Sequence, residues 1–144
     1  MKSFEELLRD LESPKPRTRD KAALALRDLG DNRAVAPLIR AIRKPTNVGF
    51  IGTLVYSLQT LDCSKHFLFL FNLALNADYE PCCMALMILQ EKRFRTTKQQ
   101  LQAAAKKLTS SERRLQNKNG RALFNELKRC LKRQSKPSNT GVGN

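Results

Sequence analysis

The stretch 20–44 constrains the fold most, because it has the pattern of two short helices joined by a tight turn. Gly30 is expected to end the first helix in a left-handed conformation, and Asn32 to cap the second. Two helices this short cannot bury both apolar faces alone, so the unit needs copies of itself. The inward residues recur at i, i+3, i+4 and i+7: Ala22, Ala25, Leu26 and Leu29, then Val35, Leu38, Ile39 and Ile42.

Further pairs follow at an offset of about 32 residues, the period expected of helical-hairpin repeats. Leu26 corresponds to Leu58, for example, and Leu29 to Leu61. The predicted repeats are approximately 14–44, 46–76 and 78–108. Within the second repeat the helices are expected at 48–61 and 65–76, where Gly49 and Gly52 allow close approach to a neighbour or partner. In the third repeat Asp78 and Thr97 are the expected helix caps.

An amphipathic helix of residues 3–12, capped by Ser3, is expected to cover the start of the stack, and two helical pieces within 110–133 to follow it, one capped by Ser111. The sequence therefore predicts an all-α fold. It is a short α-solenoid of about three helical hairpins, with an N-terminal capping helix and C-terminal basic helices. Residues 1–133 form a single domain. The Ser-, Pro-, Gly- and Asn-rich tail 134–144 is predicted to be disordered.

The segment 67–71, Phe-Leu-Phe-Leu-Phe, is apolar all round. Such a helix is typical of a central element packed between neighbours on both sides. The alternative interpretation is an exposed aromatic edge that docks a partner.

Charge divides the chain in two. Residues 1–91 carry 12 Lys and Arg against 11 Asp and Glu, whereas residues 92–144 carry 15 against Glu112 and Glu126 alone. A nearly neutral front and a strongly basic back indicate that the charge is placed for a target. A solvated basic face that keeps the protein soluble is the alternative.

Little in the sequence supports catalysis. His66 is the only histidine, so neither a histidine dyad nor a histidine metal cluster is expected. The cysteines are interpreted as reduced thiols rather than a zinc site, because the adjacent pair Cys82 and Cys83 point about 100° apart on a helix. No phosphate-binding glycine loop is present. We expect a protein without enzymatic activity, cofactor, metal or small-molecule substrate.

Residues 1–12 are charged and amphipathic rather than apolar. This pattern predicts no secretion signal. The uncharged, apolar run 66–77 is too short to cross a bilayer. We therefore expect a soluble, cytoplasmic protein without membrane contact.

The first repeat resembles a HEAT repeat of the kind found in phycobilin lyases and many small bacterial proteins. The resemblance lies in Arg19, the small residues 22–23, the turn Leu29-Gly30-Asp31 and the segment 34–38. It implies an α-solenoid that binds a partner along its surface. The stretch 52–64 is in addition similar to small bacterial HEAT-repeat immunity proteins, which block a cognate toxin.

Basic residues on the predicted second helices suggest a positive surface for an acidic protein partner. Its predicted contacts, with Tyr56 as an aromatic anchor, are Arg40, Lys44, Tyr56, Lys65, Lys98, Gln102 and Lys106. Arg33 shares the face of Arg40 and Lys44.

The alternative function is binding to the backbone of DNA or RNA by the C-terminal region. We expect no aromatic platform for bases among its basic residues, which are Lys107, Arg113, Arg114, Lys118, Arg121, Lys128, Arg129 and Lys132. A DNA glycosylase on a HEAT-like scaffold is a third option, disfavoured because the chain has no Trp and no convincing acid in that region.

Overall fold

The computed structural model describes residues 1–136 and is all-helical over that range, which confirms the predicted fold class. No β-strand occurs in this part of the chain. Gln134 and Ser135, expected in the tail, instead end the last helix, and the rest of the predicted tail from 137 on lies outside the described residues. The described α-helices are α1 (Phe4–Leu11), α2 (Pro16–Leu29), α3 (Val35–Arg43), α4 (Gly52–Ser57), α5 (Phe67–Asn76), α6 (Tyr79–Glu91), α7 (Lys98–Ser110) and α8 (Lys118–Ser135).

Helix ends follow local side-chain chemistry. Ser3 and Thr97 each form a capping box with the Glu or Gln three residues later, as predicted. Gly30 ends α2 with a φ of 66°, a conformation that costs glycine nothing. The prediction for Asn32 was wrong. Asp31 accepts from the Arg33 backbone N–H and starts a short 3₁₀ turn into α3, while Asn32 accepts from the Asp62 N–H at 2.9 Å.

The first helix of the second repeat is shorter than predicted. It was expected at 48–61, but α4 begins at Gly52 and gives way to a 3₁₀ turn, Leu58–Thr60. The segment before it is a loop because Gly49 takes a φ of 89° and the Asn47 side chain, itself buried, donates to the Ala41 carbonyl at 2.8 Å. The second helix likewise starts at Phe67 rather than at residue 65.

The helices contact one another in two rows. Helices α2, α4, α6 and α8 contact in succession, and we call them the first row. Helices α1, α3, α5 and α7 form the second row: α1 contacts α3, Arg43 of α3 lies over the Phe69 ring of α5, and α5 contacts α7. The two rows are joined where α1 meets α2, α3 meets α4, α5 meets α6 and α7 meets α8. Gly52 lies against the side chain of Glu80, since a Cβ there would lie 2.5 Å from Cδ of Glu80.

The core lies between the rows and is aliphatic with a few aromatic rings. Leu26, Leu38, Leu58, Phe67 and Phe71 are fully buried. Leu29, predicted to face inward, is 49% exposed because the chain turns away at Gly30 directly after it. Helix α5 lies between α6 and α7. Its residues 67–75 include none that is fully exposed, which supports the buried interpretation for one face of this apolar helix, while Leu68, Phe69 and Leu73 stay half-buried on the other.

The C-terminal region contains one helix where two pieces were predicted. Ser111 ends α7 instead of starting a helix, and its hydroxyl donates to the Lys107 carbonyl at 2.9 Å. Helix α8 starts later than predicted, at Lys118. The Asn117 side chain caps it by accepting a hydrogen bond from the Gly120 N–H at 2.7 Å. Gly120 also lies against the backbone of Leu115, where a Cβ would come within 2.7 Å of the Leu115 Cα.

Candidate partner-binding surfaces

Six of the seven residues predicted to contact a protein partner lie on the second row or directly before one of its helices. All six are exposed. They are Arg40 and Lys44 at the end of α3, Lys65 two residues before α5, and Lys98, Gln102 and Lys106 on α7. The structure therefore places basic side chains on α3 and α7, with α5 between them.

Tyr56 is the exception, because it lies on α4 in the first row. The Arg27 guanidinium carbon is 4.4 Å from the centre of the Tyr56 ring. The same guanidinium donates to Gln59 Oε1 at 2.9 Å, and the Gln59 amide nitrogen donates to Glu91 Oε2 at 2.9 Å. Tyr56 is thus part of a network within the first row. Each partner in the hydrogen-bonded chain is 32 residues from the next.

The middle of the second row is uncharged. Between Phe67 and Asn76 the sequence has no charged side chain, and Leu68, Phe69, Asn72 and Leu73 remain half-buried on α5. The surface of the row is consequently an apolar strip on α5 with cations on both flanking helices.

A cleft of about 430 Å³ opens where this strip meets the loop before α4. Val48 is 71% exposed beside it, and Phe50 in the same loop is 56% exposed. The Arg43 guanidinium covers the Phe69 ring at 4.9 Å. Asn72 and Asp78 are polar groups of the cleft, and its other walls include Arg43, Val48, Ile51, Phe69, Leu73 and Pro81.

Sequence reasoning missed Arg43 and Val48 as residues of this cleft, and Phe50 as an exposed residue of the loop beside it. A helix was predicted over 48–61, which placed Val48 and Phe50 within a regular element. The available signal was the sequence Pro45-Thr46-Asn47 followed by Gly49, a composition typical of a loop.

The cations of the second row are poorly neutralised by the protein itself. Lys44 Nζ lies 3.8 Å from Glu12 Oε2, and both side chains are largely exposed, so this pair contributes little. Within residues 1–136, Arg40, Arg43, Lys65, Lys98 and Lys106 have no carboxylate within 4.0 Å. Arg33 differs, because its Nη2 lies 2.6 Å from Asp31 Oδ2.

The lone histidine lies at the amino end of α5. Partial burial lowers the pKa of His66 below its ordinary value, and the nearby charges of Arg43 and Lys65 lower it further. Burial raises the pKa of the Cys63 thiol to about 11, so it remains protonated at neutral pH. Among residues 1–136 no three His, Cys, Asp or Glu side chains are grouped so that they could hold a metal ion.

The residues predicted to contact nucleic acid lie on the hairpin of α7 and α8 and the turn between them. Four of them, Lys118, Arg121, Lys128 and Lys132, follow one another on α8 at steps of three, seven and four residues. At 3.6 residues per turn these steps share one face of the helix. We call these four residues the α8 stripe. Leu127 and Cys130, on another face, are buried.

Arg114 and Arg129 have partners within the protein. Arg114 Nη2 donates to the Leu75 carbonyl at 3.0 Å and so fixes the hairpin against the end of α5. Arg129 donates to Glu126 Oε2 at 2.7 Å. Hydrogen bonds from Gln90 and Arg129 hold the pKa of Glu126 below its ordinary value. The α8 stripe is left without an ion pair among the described residues.

A smaller cleft, of about 290 Å³, lies between the 112–116 turn and α8. Arg121 and Lys128 of the stripe line it together with Glu112, Gln116, Phe124 and Asn125. Phe124 is half-buried in this cleft. The expectation of no aromatic platform for bases among these basic residues stays a prediction, although Phe124 lies in the same cleft as Arg121 and Lys128. Phe124 is three residues after Arg121 and three before the buried Leu127, so it lies between the stripe and the buried face of α8.

No protein-family model, curated protein or solved structure matches this chain. The HEAT-repeat resemblance therefore stays a prediction. Within the described residues, none of the helices combines the length and the apolar character needed to cross a bilayer.

Proposed function

We propose that this protein is a non-enzymatic binding module that holds an acidic protein partner on the second row. The observation that carries the proposal is the largely apolar cleft beside Phe69, whose lining carries one cation, Arg43, and one carboxylate, Asp78. It lies on a row most of whose other cations have no ion pair among the described residues. Exposed apolar patches with a polar rim are characteristic of protein interfaces.

The cleft and its loop supply the apolar part of the interface. Val48 and Phe50 protrude from the molecule, and covering one such side chain fully is worth about 1.5–3 kcal/mol. Anchors of this kind usually dominate binding energy. Arg43, stacked on Phe69, offers its guanidinium to a carboxylate at the edge of the same cleft.

The cations on α3, on α7 and directly before α5 determine which partner is favoured. Arg40, Lys65, Lys98 and Lys106 create a positive potential that speeds encounter with an acidic surface and disfavours a basic one. Because these side chains have no internal partner in the described part of the chain, binding does not require an existing ion pair to break. Inhibition of a cognate toxin, as the resemblance to immunity proteins implies, is the most specific form of the proposal.

The test is capture of a partner from the native host followed by binding measurements with variants. Arg40→Glu combined with Lys106→Glu, and separately Val48→Asp, should each abolish binding of the captured protein. Lys21→Glu is the matched control, because Lys21 is an exposed lysine on α2 in the first row. Equal binding by the control and the second-row variants would overturn the proposal.

Nucleic-acid binding by the hairpin of α7 and α8 is a second candidate function, and the unpaired α8 stripe favours it. Four cations on one helical face can neutralise phosphates without reading sequence. Affinity for a labelled oligonucleotide should fall steeply with salt, with a slope of roughly 0.7 to 0.9 for each phosphate contacted. No mobility shift at low salt would exclude this function.

A further inference from the structure

We infer that the cleft between the 112–116 turn and α8 takes one unpaired base of a single-stranded nucleic acid, between cations that contact the flanking phosphates. The inference rests on the second candidate function and specifies its ligand. It depends on the juxtaposition of Phe124 with Arg121 and Lys128 in one cleft.

The spacing along α8 gives the order of these groups. Arg121 precedes Phe124 by three residues and Lys128 follows it by four, so each is a neighbour of Phe124 on the helix surface. One cation therefore lies on either side of the aromatic ring along the helix. Stacking on an aromatic ring with charge contacts to the backbone is the common way in which proteins bind single strands.

The remaining polar groups of the cleft suit a base edge better than a phosphate. The Glu112 carboxylate accepts hydrogen bonds and repels a phosphate, but the amino group of a base can donate to it. Asn125 offers both a donor and an acceptor. The Gln116 amide nitrogen already donates to the Glu112 carbonyl at 3.1 Å, which leaves the amide oxygen of Gln116 as an acceptor.

The size and depth of the cleft exclude a duplex from its interior. At about 290 Å³ it lies at the lower end of the volumes that hold small ligands. Phe124 is half-buried, so the stacked bases of a double helix cannot reach its ring. A duplex can contact only the exposed cations of the α8 stripe.

The experiment compares a fluorescein-labelled 15-nucleotide single strand, as DNA and as RNA, with the corresponding 15-base-pair duplex in anisotropy titrations of the full chain. Phe124→Leu should weaken single-strand binding roughly tenfold and leave duplex binding unchanged. Tyr79→Leu, a matched control at an exposed ring on α6 that lines neither cleft, should change neither. An effect confined to DNA or to RNA identifies which strand is the ligand.

Because Phe124 also packs against the core, a thermal melt of each variant is required. Asn125→Ala provides the second test, since Asn125 is exposed and its loss should not unfold the protein. It should weaken single-strand binding several-fold with duplex binding unchanged. If Asn125→Ala and a folded Phe124→Leu affect both forms equally or not at all, the inference is wrong while backbone binding stands. If no nucleic acid binds to the native chain, the second candidate function and the inference both fail.

Discussion

The first and second rows use their charged residues differently. On the first row, Arg27 stacks on Tyr56 and is joined through Gln59 to Glu91, so its charge is engaged within the protein. On the second row, Arg40 and Lys106 have no carboxylate within reach among the described residues. We infer that the Arg27 network serves stability and that Arg40 and Lys106 serve binding. The α8 stripe, although it lies on the first row, is unpaired within the described part of the chain, like these second-row cations. The following predictions test that distinction, beginning with the largest expected effect.

Gly120→Ala should lower the free energy of unfolding by about 2 to 3 kcal/mol, because its new Cβ would overlap the Leu115 backbone, which cannot move without displacing the turn. Gly52→Ala is the matched control. The Cβ there meets only the flexible end of Glu80, and we expect a change below about 1 kcal/mol. Urea denaturation of both variants measures the difference. Equal destabilisation would show that the α8 turn is not closed as described.

Arg27→Ala should lower the free energy of unfolding by about 2 kcal/mol. The substitution removes the contact with Tyr56 and leaves the half-buried Gln59 amide oxygen without its donor. Arg40→Ala, on the second row, should change it by no more than about 0.5 kcal/mol. A large effect of Arg40→Ala on stability would contradict the division of roles between the rows.

Arg114→Ala should cost about 1.5 kcal/mol, since its guanidinium donates to the Leu75 carbonyl and to Asn76 Oδ1. The neighbouring Arg113→Ala removes the same charge without a described hydrogen bond, and we expect a change within about 0.5 kcal/mol. Thermal denaturation of the two variants shows whether the hydrogen bonds of Arg114, rather than its charge, stabilise the hairpin of α7 and α8. Similar melting temperatures for the two variants would refute the structural role of Arg114.

The smallest effect concerns His66. Because its pKa is lower in the folded chain than the ordinary 6.5, the unfolded chain binds more protons just below pH 6.5. Stability should therefore rise with pH from the folded pKa up to about 6.5, and His66→Gln should remove that slope. NMR titration should also show Arg43→Gln raising the pKa of His66, whereas Lys21→Gln leaves it unchanged. A pKa at or above 6.5 in the native chain would contradict the partial burial of His66 and its position beside Arg43.

The ends of helices were predictable from the sequence where a single residue determines the cap. Ser3, Gly30 and Thr97 act through their own side chain or backbone, and each was assigned correctly. Where two residues in one segment could each cap a helix, contacts with the rest of the protein decide which of them does so. Either Ser111 or Asn117 suits a helix start, and the structure uses Asn117, with Gly120 packed against Leu115.

The candidate sites were less predictable because periodicity shows which face of a helix is apolar but not which exposed side chains contact one another. Tyr56 was proposed as an aromatic anchor from its residue type, although in the structure it contacts Arg27 within the first row. The loop before α4 was predicted as helix although Pro45-Thr46-Asn47 and Gly49 are typical of a loop. The hydrogen bond from the Asn47 side chain to the Ala41 carbonyl, six residues earlier, holds that loop. Because Val48, Gly49 and Ile51 of that loop line the cleft beside Phe69, the sequence analysis also missed the cleft.

The Gln59 amide also links three successive helices of the first row. Its oxygen and nitrogen are engaged in opposite directions, by Arg27 on α2 and by Glu91 on α6. If α2 or α6 detaches, the half-buried Gln59 amide loses one hydrogen-bond partner. This loss raises the free energy of any unfolding intermediate in which only one of the two helices is detached. We therefore expect α2, α4 and α6 to unfold cooperatively. A thermal melt should show one transition for them, and force applied to both ends of the chain should unfold them in one event.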